Sequence, residues 1–141
     1  MSSPAPMYLA DTSAWVHAED ESVRSFFAAA VEAGEIVTTP SVVFELLYIA
    51  RNADDFDLLD ERMSRLRNIA PSRAITDAAH RALHELAHLG AGRHRIPVPD
   101  LLVAAAAQDA GVGVLHYDRH FDRLAEVMDF ESRWVAPPGS L

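Results

Sequence analysis

Residues 97–125 read PVPDLLVAAAAQDAGVGVLHYDRHFDRLA, a pattern that predicts a helix, a short strand and a second helix. Asp100 lies where the first of these helices is expected to begin. Asp118 follows the predicted strand Val112–His116, where the second helix is expected to begin. Asp is among the best N-caps of helices, so both positions suit a capping role. The stretch therefore indicates an α–β–α unit with a carboxylate at each turn of the chain.

The rest of the chain continues this alternation. Further strands are expected at Met7–Ala10, at Glu35–Thr38, from Ile69 and near Arg133–Val135. Helices are expected at Glu21–Ala33, from Ser41 to about Arg51, at Asp54–Asn68, at Arg73–Leu89 and at Arg119–Met128. Such alternation predicts one three-layer α/β/α domain with a short, mostly parallel central sheet. We expect this domain at residues 7–136, after a disordered lead at residues 1–6 and before a tail at residues 137–141. Met7 is an alternative start.

Composition excludes several classes of protein. With 141 residues, half of them hydrophobic, the chain suits a single domain with a buried core. Cysteine is absent, which excludes disulfides and thiolate metal sites. No apolar run approaches the roughly 18–20 residues of a membrane helix, and no signal peptide is evident, so we expect a cytoplasmic protein. The net charge of −9 argues mildly against nucleic-acid binding, although eight of the twelve Arg lie between residues 51 and 95.

Four acidic residues are candidates for one metal centre: Asp11, Glu45, Asp100 and Asp118. Taken singly, each Asp could serve only as a helix cap, and Glu45, in the apolar segment SVVFELLYIA, could be paired with an Arg. Taken together, carboxylates that converge repel one another unless a divalent cation neutralises them. Oxygen ligands favour Mg²⁺ or Mn²⁺, and such a site is suited to metal-assisted hydrolysis of a phosphodiester.

Four segments, in order along the chain, closely resemble PIN-domain ribonucleases and, more narrowly, the VapC toxins of bacterial VapBC toxin–antitoxin pairs. They are DTSAW at 11–15, FELLYIAR at 44–51, IPVPDLLVAAAA at 96–107 and HYDRHFDRLA at 116–125. The resemblance extends from Met7 to Val135. Each motif is weak when taken alone, but all four in this order make a strong signal.

The resemblance implies an acidic site that binds Mg²⁺ or Mn²⁺ and cleaves RNA endonucleolytically. By matching position, its metal-binding and catalytic residues would be Asp11, Glu45, Asp100 and Asp118. A hydroxyl of Thr12 or Ser13 would help to order water at the site. Many relatives carry a further Asp where this chain has His120, so the second metal of the family is in question. Asp122 could partly substitute, or it could be a solvated helix residue.

The resemblance also implies partners: a homodimer, a small VapB-type antitoxin that blocks the acidic groove, and structured RNA such as transfer RNA as substrate. Trp15 and Phe26/Phe27 could line the antitoxin groove, or they could pack in the core. Arg93 and Arg95 are candidates for contacts with RNA phosphates, although an ordinary surface role is equally compatible with their positions.

Two other functions compete with the nuclease. HELAH at 84–88 matches the zinc-protease motif H-E-x-x-H, in which His84 and His88 would bind zinc and Glu85 would act as the base. His94 has the spacing of a third ligand, but the Gly of the extended motif is replaced by Ala91. The stripe of His80, His84 and His88 is more simply interpreted as a polar surface face, with an adventitious or structural zinc site as a lesser alternative. His120, for its part, favours a non-catalytic PIN-like module that binds protein.

Overall fold

Four short parallel strands form the central sheet of the computed structural model, which describes residues 7–141. In chain order the strands are β1 (Tyr8–Ala10), β2 (Ile36–Val37), β3 (Gly113–His116) and β4 (Ser132–Trp134). The helices are α1 (Thr12–Trp15), α2 (Glu21–Glu32), α3 (Pro40–Tyr48), α4 (Ala53–Ser64), α5 (Arg73–Leu89), α6 (Val98–Ala110) and α7 (His120–Leu124). The sheet order is β2-β1-β3-β4, and each neighbouring pair is parallel, which confirms the predicted parallel sheet.

Two apolar clusters lie on opposite faces of the sheet. Side chains alternate along a strand, so Leu9 contributes to one cluster while its neighbours Tyr8 and Ala10 contribute to the other. The larger cluster contains buried residues of α3 to α7, and the smaller contains buried residues of α1 and α2. Helices therefore cover both faces, and the predicted three-layer α/β/α fold is confirmed.

Helix α6 lies at the centre of this arrangement. It contacts α3, α5, α7, β1 and β3, and residues 103–107 are almost completely buried. A helix that is apolar nearly all round is expected in a core, and four consecutive alanines let its neighbours approach closely. No helix in residues 7–141 is long and apolar enough to cross a membrane.

Several predicted boundaries were wrong. α6 begins at Val98, so Asp100 is its third residue and not its cap, because Pro97 and Pro99 fit positions whose N–H groups need no helical partner. Ser41 is not a cap either, since α3 begins at Pro40 with Thr39 as N-cap and ends at Tyr48.

The strand predicted from Ile69 is absent within residues 7–141. Around Ile69 only one isolated bridge, between Thr38 and Asn68, replaces it. α4 and α7 each end four residues before the predicted limit. The predicted lead at residues 1–6 lies outside the described residues.

Candidate metal centre

The carboxyl ends of β1 and β3 bring two of the predicted acids to one edge of the sheet. These strands are neighbours, and Ala10 is paired with Leu115. Asp11 immediately follows β1, and its N–H donates to the Leu115 carbonyl at 2.9 Å. Asp118 follows the end of β3 by two residues. Ligands of parallel α/β sheets bind at such an edge, so both carboxylates occupy a position suited to a site.

Asp11 is buried, with 4% of its surface exposed, and it caps α1 as predicted. Its Oδ2 accepts hydrogen bonds from the Ser13 N–H at 3.0 Å and from the Ser13 hydroxyl at 2.7 Å. The same hydroxyl accepts a bond from the Tyr117 N–H at 2.9 Å. Ser13 thus links the residues that follow β1 to those that follow β3.

Asp100, Asp118 and His120 form a compact cluster whose ligand atoms all lie within 4.8 Å of one another. His120 Nδ1 lies 3.0 Å from Asp100 Oδ2 and 2.9 Å from Asp118 Oδ1. The His120 N–H also donates to Asp118 Oδ1 at 3.0 Å. The imidazole therefore bridges two carboxylates that come from different segments of the chain. The N-cap of α7 is Arg119, so the predicted capping position of Asp118 was wrong by one residue, although Asp118 accepts the N–H of the first residue of α7.

Burial, together with repulsion from neighbouring carboxylates, raises the pKa of Asp11 and of Asp100. Burial raises the pKa of Asp11, hydrogen bonds from Ser13 counteract the rise in part, and repulsion from Asp118 adds to it. Burial also raises the pKa of Asp100 to about 6, with further repulsion from Asp11 and Asp118 that His120 opposes. A raised pKa means that the negative form is unfavourable without a neutralising cation.

Glu45 lies close enough to Asp11 to respond to its charge, although the compact cluster of Asp100, Asp118 and His120 includes neither residue. Burial raises its pKa, repulsion from Asp11 adds to the rise, and the nearby Thr12 side chain opposes it. The Thr12 hydroxyl is buried, and within residues 7–141 no atom forms a hydrogen bond of regular geometry with it, so it can still bind a water or an ion. Oxygen donors and surplus negative charge fit Mg²⁺ or Mn²⁺, whose preferred ligands are carboxylates, hydroxyls and water.

The sequence profile of the PIN domain matches residues 8–127, a range that contains all four acids. The chain belongs to the PIN-domain family. Ribonuclease VapC18 of Mycobacterium tuberculosis is 35% identical over 136 residues, covering 96% of this chain and 99% of the relative. Ribonuclease VapC51 of the same organism is 33% identical over 136 residues, covering 95% of this chain and 96% of the relative. These matches confirm the resemblance found in the sequence motifs.

Solved structures of low sequence identity share the fold. The DNA-bound VapBC from Salmonella typhimurium gives a TM-score of 0.73 at 16% identity, covering 93% of this chain and 99% of that chain. VapBC-5 from Mycobacterium tuberculosis gives 0.65 at 21% identity, with the same coverage. The PIN fold deduced from the motifs is therefore supported by its three-dimensional arrangement.

Two other predicted site residues, Asp122 and Arg93, are held by partners outside the carboxylate cluster. Asp122 accepts a bond from the Ser132 hydroxyl at 2.7 Å and another from Trp134 Nε1 at 3.0 Å. It therefore anchors α7 to β4, and it does not belong to the carboxylate cluster. Arg93 forms an ion pair with Glu126, whereas Arg95 is exposed. Contacts of either Arg with RNA stay a prediction.

His116 supports the site in a way that the sequence motifs did not reveal. It is completely buried at the end of β3, and burial lowers its pKa to about 4, so the ring is neutral at pH 7. Its Nδ1 accepts the Asp118 N–H at 3.1 Å, which leaves the proton on Nε2, 2.7 Å from the Ser132 hydroxyl. The ring thereby fixes the backbone that carries Asp118. In the sequence, the signal that could have indicated this role is a histidine at the end of an apolar strand.

The HELAH segment does not build a zinc-protease site. His84 and His88 lie on the exposed face of α5, and Glu85 is exposed as well. Within residues 7–141, the cluster of Asp100, Asp118 and His120 alone groups three potential ligands, so no third ligand joins the two histidines. Zinc proteases require three protein ligands at an open catalytic site, and this requirement is not met.

Proposed function

We propose that this PIN domain is a metal-dependent endoribonuclease and the toxin of a type II toxin–antitoxin pair. The observation that carries the proposal is the convergence of Asp11, Glu45, Asp100 and Asp118. Burial, with added repulsion between the carboxylates, raises the pKa of three of them. Relatives named as VapC ribonucleases, which match almost the whole chain, support RNA as the substrate class. Such a substrate would place the activity in the cytoplasm.

The four carboxylates would hold Mg²⁺ or Mn²⁺. When bound, the ion would polarise a phosphodiester and lower the pKa of a water for its hydrolysis. Ser13 keeps Asp11 oriented, and His116 keeps the backbone of Asp118 in place. His120 Nδ1 lies between Asp100 and Asp118, within hydrogen-bond distance of both carboxylates, and so keeps the two side chains close together.

The activity test uses purified protein, a transfer RNA substrate and saturating Mg²⁺ or Mn²⁺. We expect cleavage that EDTA stops and that Asp11→Asn or Asp100→Asn lowers by at least about a hundredfold, because each removes a negative ligand. Asp109→Asn is the matched control, since Asp109 is an exposed residue of α6, the helix that carries Asp100. Cleavage that persists in both site variants would overturn the carboxylate mechanism.

The second candidate function is a non-catalytic PIN-like module that binds protein. His120 favours it, because an imidazole replaces a negative ligand in the cluster and contributes no charge to hold a second ion. The same assay separates the two functions. A folded protein that binds Mn²⁺ but leaves every RNA intact would support the module over the nuclease.

We propose that the antitoxin docks in a groove of about 550 Å³ between α1, α2, α3 and α4. Trp15 and Phe27 are among its lining residues, with ring centroids 4.7 Å apart, and Phe27 is also buried in the smaller apolar cluster. Phe26 does not line it, since its ring packs beneath Arg133. The groove also has apolar side chains from α3 and α4, and Trp15 lies in the helix that Asp11 caps, so an antitoxin seated there would adjoin the acidic site.

Neighbouring leucines of α4 provide a test of this groove. Leu59 lines it, whereas Leu58 is exposed outside it. We expect Leu59→Glu to abolish co-purification with the co-expressed antitoxin, because a charge would be buried against apolar side chains, while Leu58→Glu retains the complex. Equal binding by both variants would place the antitoxin elsewhere.

We also propose a homodimer. Phe44, Tyr48 and Ile49 of the α3 region leave a large apolar surface exposed, with Tyr48 at 88%. Exposed apolar patches of this kind commonly mark protein interfaces. Light scattering should give twice the monomer mass for the wild type and the monomer mass for Phe44→Glu. A wild type that is monomeric at high concentration would contradict the dimer.

A further inference from the structure

The outer face of α5 has no part in the proposed nuclease. The helix packs against α6 through its buried residues, which are Ile75, Ala78, Ala79, Ala82 and Leu86. On its exposed face, His80, His84 and His88 follow one another at four-residue spacing. Because an α-helix has 3.6 residues per turn, residues four apart lie one above the other. The three imidazoles therefore form a single row in contact with solvent.

His84 and His88 are already arranged as a pair. Their ring centroids lie 4.4 Å apart, with an angle of 37° between the ring planes. Both rings come from one helix, so side-chain rotations alone, without movement of the backbone, would turn their nitrogens toward one ion. The conformational entropy lost on chelation is correspondingly small. Imidazole nitrogens at this spacing on a helix are common ligands of borderline divalent metals.

The charges around the row favour cation binding at its C-terminal half, between His84 and His88. His80 and His84 line a depression of about 330 Å³ together with Asp77 and Arg81. The Arg81 guanidinium repels a cation there, and Asp77 is partly engaged by Arg73 at 3.9 Å. His88 lies in the last turn of α5, where the helix dipole is negative and attracts positive charge.

We propose that His84 and His88 chelate one divalent transition ion, such as Ni²⁺, Zn²⁺ or Cu²⁺, at a site separate from the carboxylate cluster. Two nitrogen ligands select these ions over Mg²⁺, which prefers oxygen. Because no third protein ligand within residues 7–141 lies in reach, water completes the coordination and the ion exchanges freely. The chain then has two chemically distinct metal sites, one of hard carboxylate oxygens and the other of borderline imidazole nitrogens.

The test is a calorimetric titration of tag-free protein with Ni²⁺ in a large excess of Mg²⁺, which would compete with Ni²⁺ for the acidic site. We expect one Ni²⁺ per chain and a loss of affinity of at least about tenfold in His84→Ala and in His88→Ala, because each leaves a single ligand without chelation. His94→Ala is the control, since His94 is an exposed histidine outside α5, and its affinity should equal that of the wild type. Asp100→Asn should bind Ni²⁺ as the wild type does.

Three results would overturn the proposal. Unchanged Ni²⁺ affinity in His84→Ala would exclude this residue as a ligand. Loss of binding in Asp100→Asn alone would place the ion in the carboxylate cluster. A loss in His80→Ala without one in His88→Ala would move the site to the other half of the row. Circular dichroism checks that each variant keeps its helices, and ribonuclease activity in Mg²⁺ should not change, because α5 contributes no residue to the acidic site.

Discussion

Asp100→Asn should stabilise the metal-free protein while it removes metal-dependent activity. The wild-type carboxyl is only 13% exposed in its side chain, and its pKa is raised from 3.8 to about 6. A folded-state pKa above the unfolded value means that the native state binds more protons between these pH values, so deprotonation lowers stability as pH rises through the window. At about 1.4 kcal/mol per pH unit, the penalty at pH 7.5 is about 3 kcal/mol.

The assay is urea unfolding of the wild type and of Asp100→Asn in EDTA, at pH 4 and at pH 7.5. Because a neutral amide avoids the penalty, the variant should be more stable by up to about 3 kcal/mol at pH 7.5, with a melting temperature higher by roughly 10 °C. The difference should nearly vanish at pH 4. Adding Mn²⁺ should stabilise only the wild type, since ligands stabilise the state that binds them. Asp109→Asn should resemble the wild type throughout.

A variant that is less stable than the wild type at pH 7.5 in EDTA would refute this reasoning. So would a difference that is the same at both pH values, because it could not arise from the titration of one carboxyl.

Three further predictions concern the same site. Mn²⁺ affinity, measured by calorimetry, should fall as pH decreases through about 6, because Asp100 must lose its proton to bind the ion. An affinity that stays constant from pH 7.5 to pH 5 would contradict this prediction. Ser13→Ala should lower the free energy of unfolding by about 1–3 kcal/mol, because the Ser13 hydroxyl forms hydrogen bonds with Asp11, after β1, and with Tyr117, after β3. In the same urea titration, Ser25→Ala at an exposed position should be nearly neutral. His120→Asp should raise Mn²⁺ affinity at least about tenfold by adding a negative ligand to the cluster, and weaker binding would show that the imidazole itself is needed.

Local patterns were sufficient for most elements of the fold. The apolar segment at residues 112–116 gave the central strand, because short buried strands are apolar and bounded by turns. Predicted boundaries of helices and strands were wrong where they depend on the residues that pack nearby. α6 starts at Val98 because its prolines fit a first helical turn, and the isolated bridge near Ile69 has too few partners to extend into a strand. Such outcomes depend on the residues that pack nearby, which spacing alone does not specify.

The roles of individual side chains around the site were harder to predict. Asp122 and Arg93 have the right chemistry for a site, yet each is engaged by a partner more than nine residues away in the chain. His116 gave a weak signal, although its buried ring holds the backbone of Asp118. Hydrogen-bond and ion-pair partners at such separations are set by the packing of whole elements.

The sequence by itself determined the α/β class, the order of most elements and the chemistry of the candidate ligands, because periodicity and residue type are local properties. Only the tertiary structure decided that Asp11, Glu45, Asp100 and Asp118 share one environment. They come from four separate segments, and repulsion between them exists only once β1 and β3 are neighbours and α3 and α6 pack against each other. The raised pKa values of Asp11, Glu45 and Asp100 are therefore properties of the folded chain, produced by burial and by the approach of like charges.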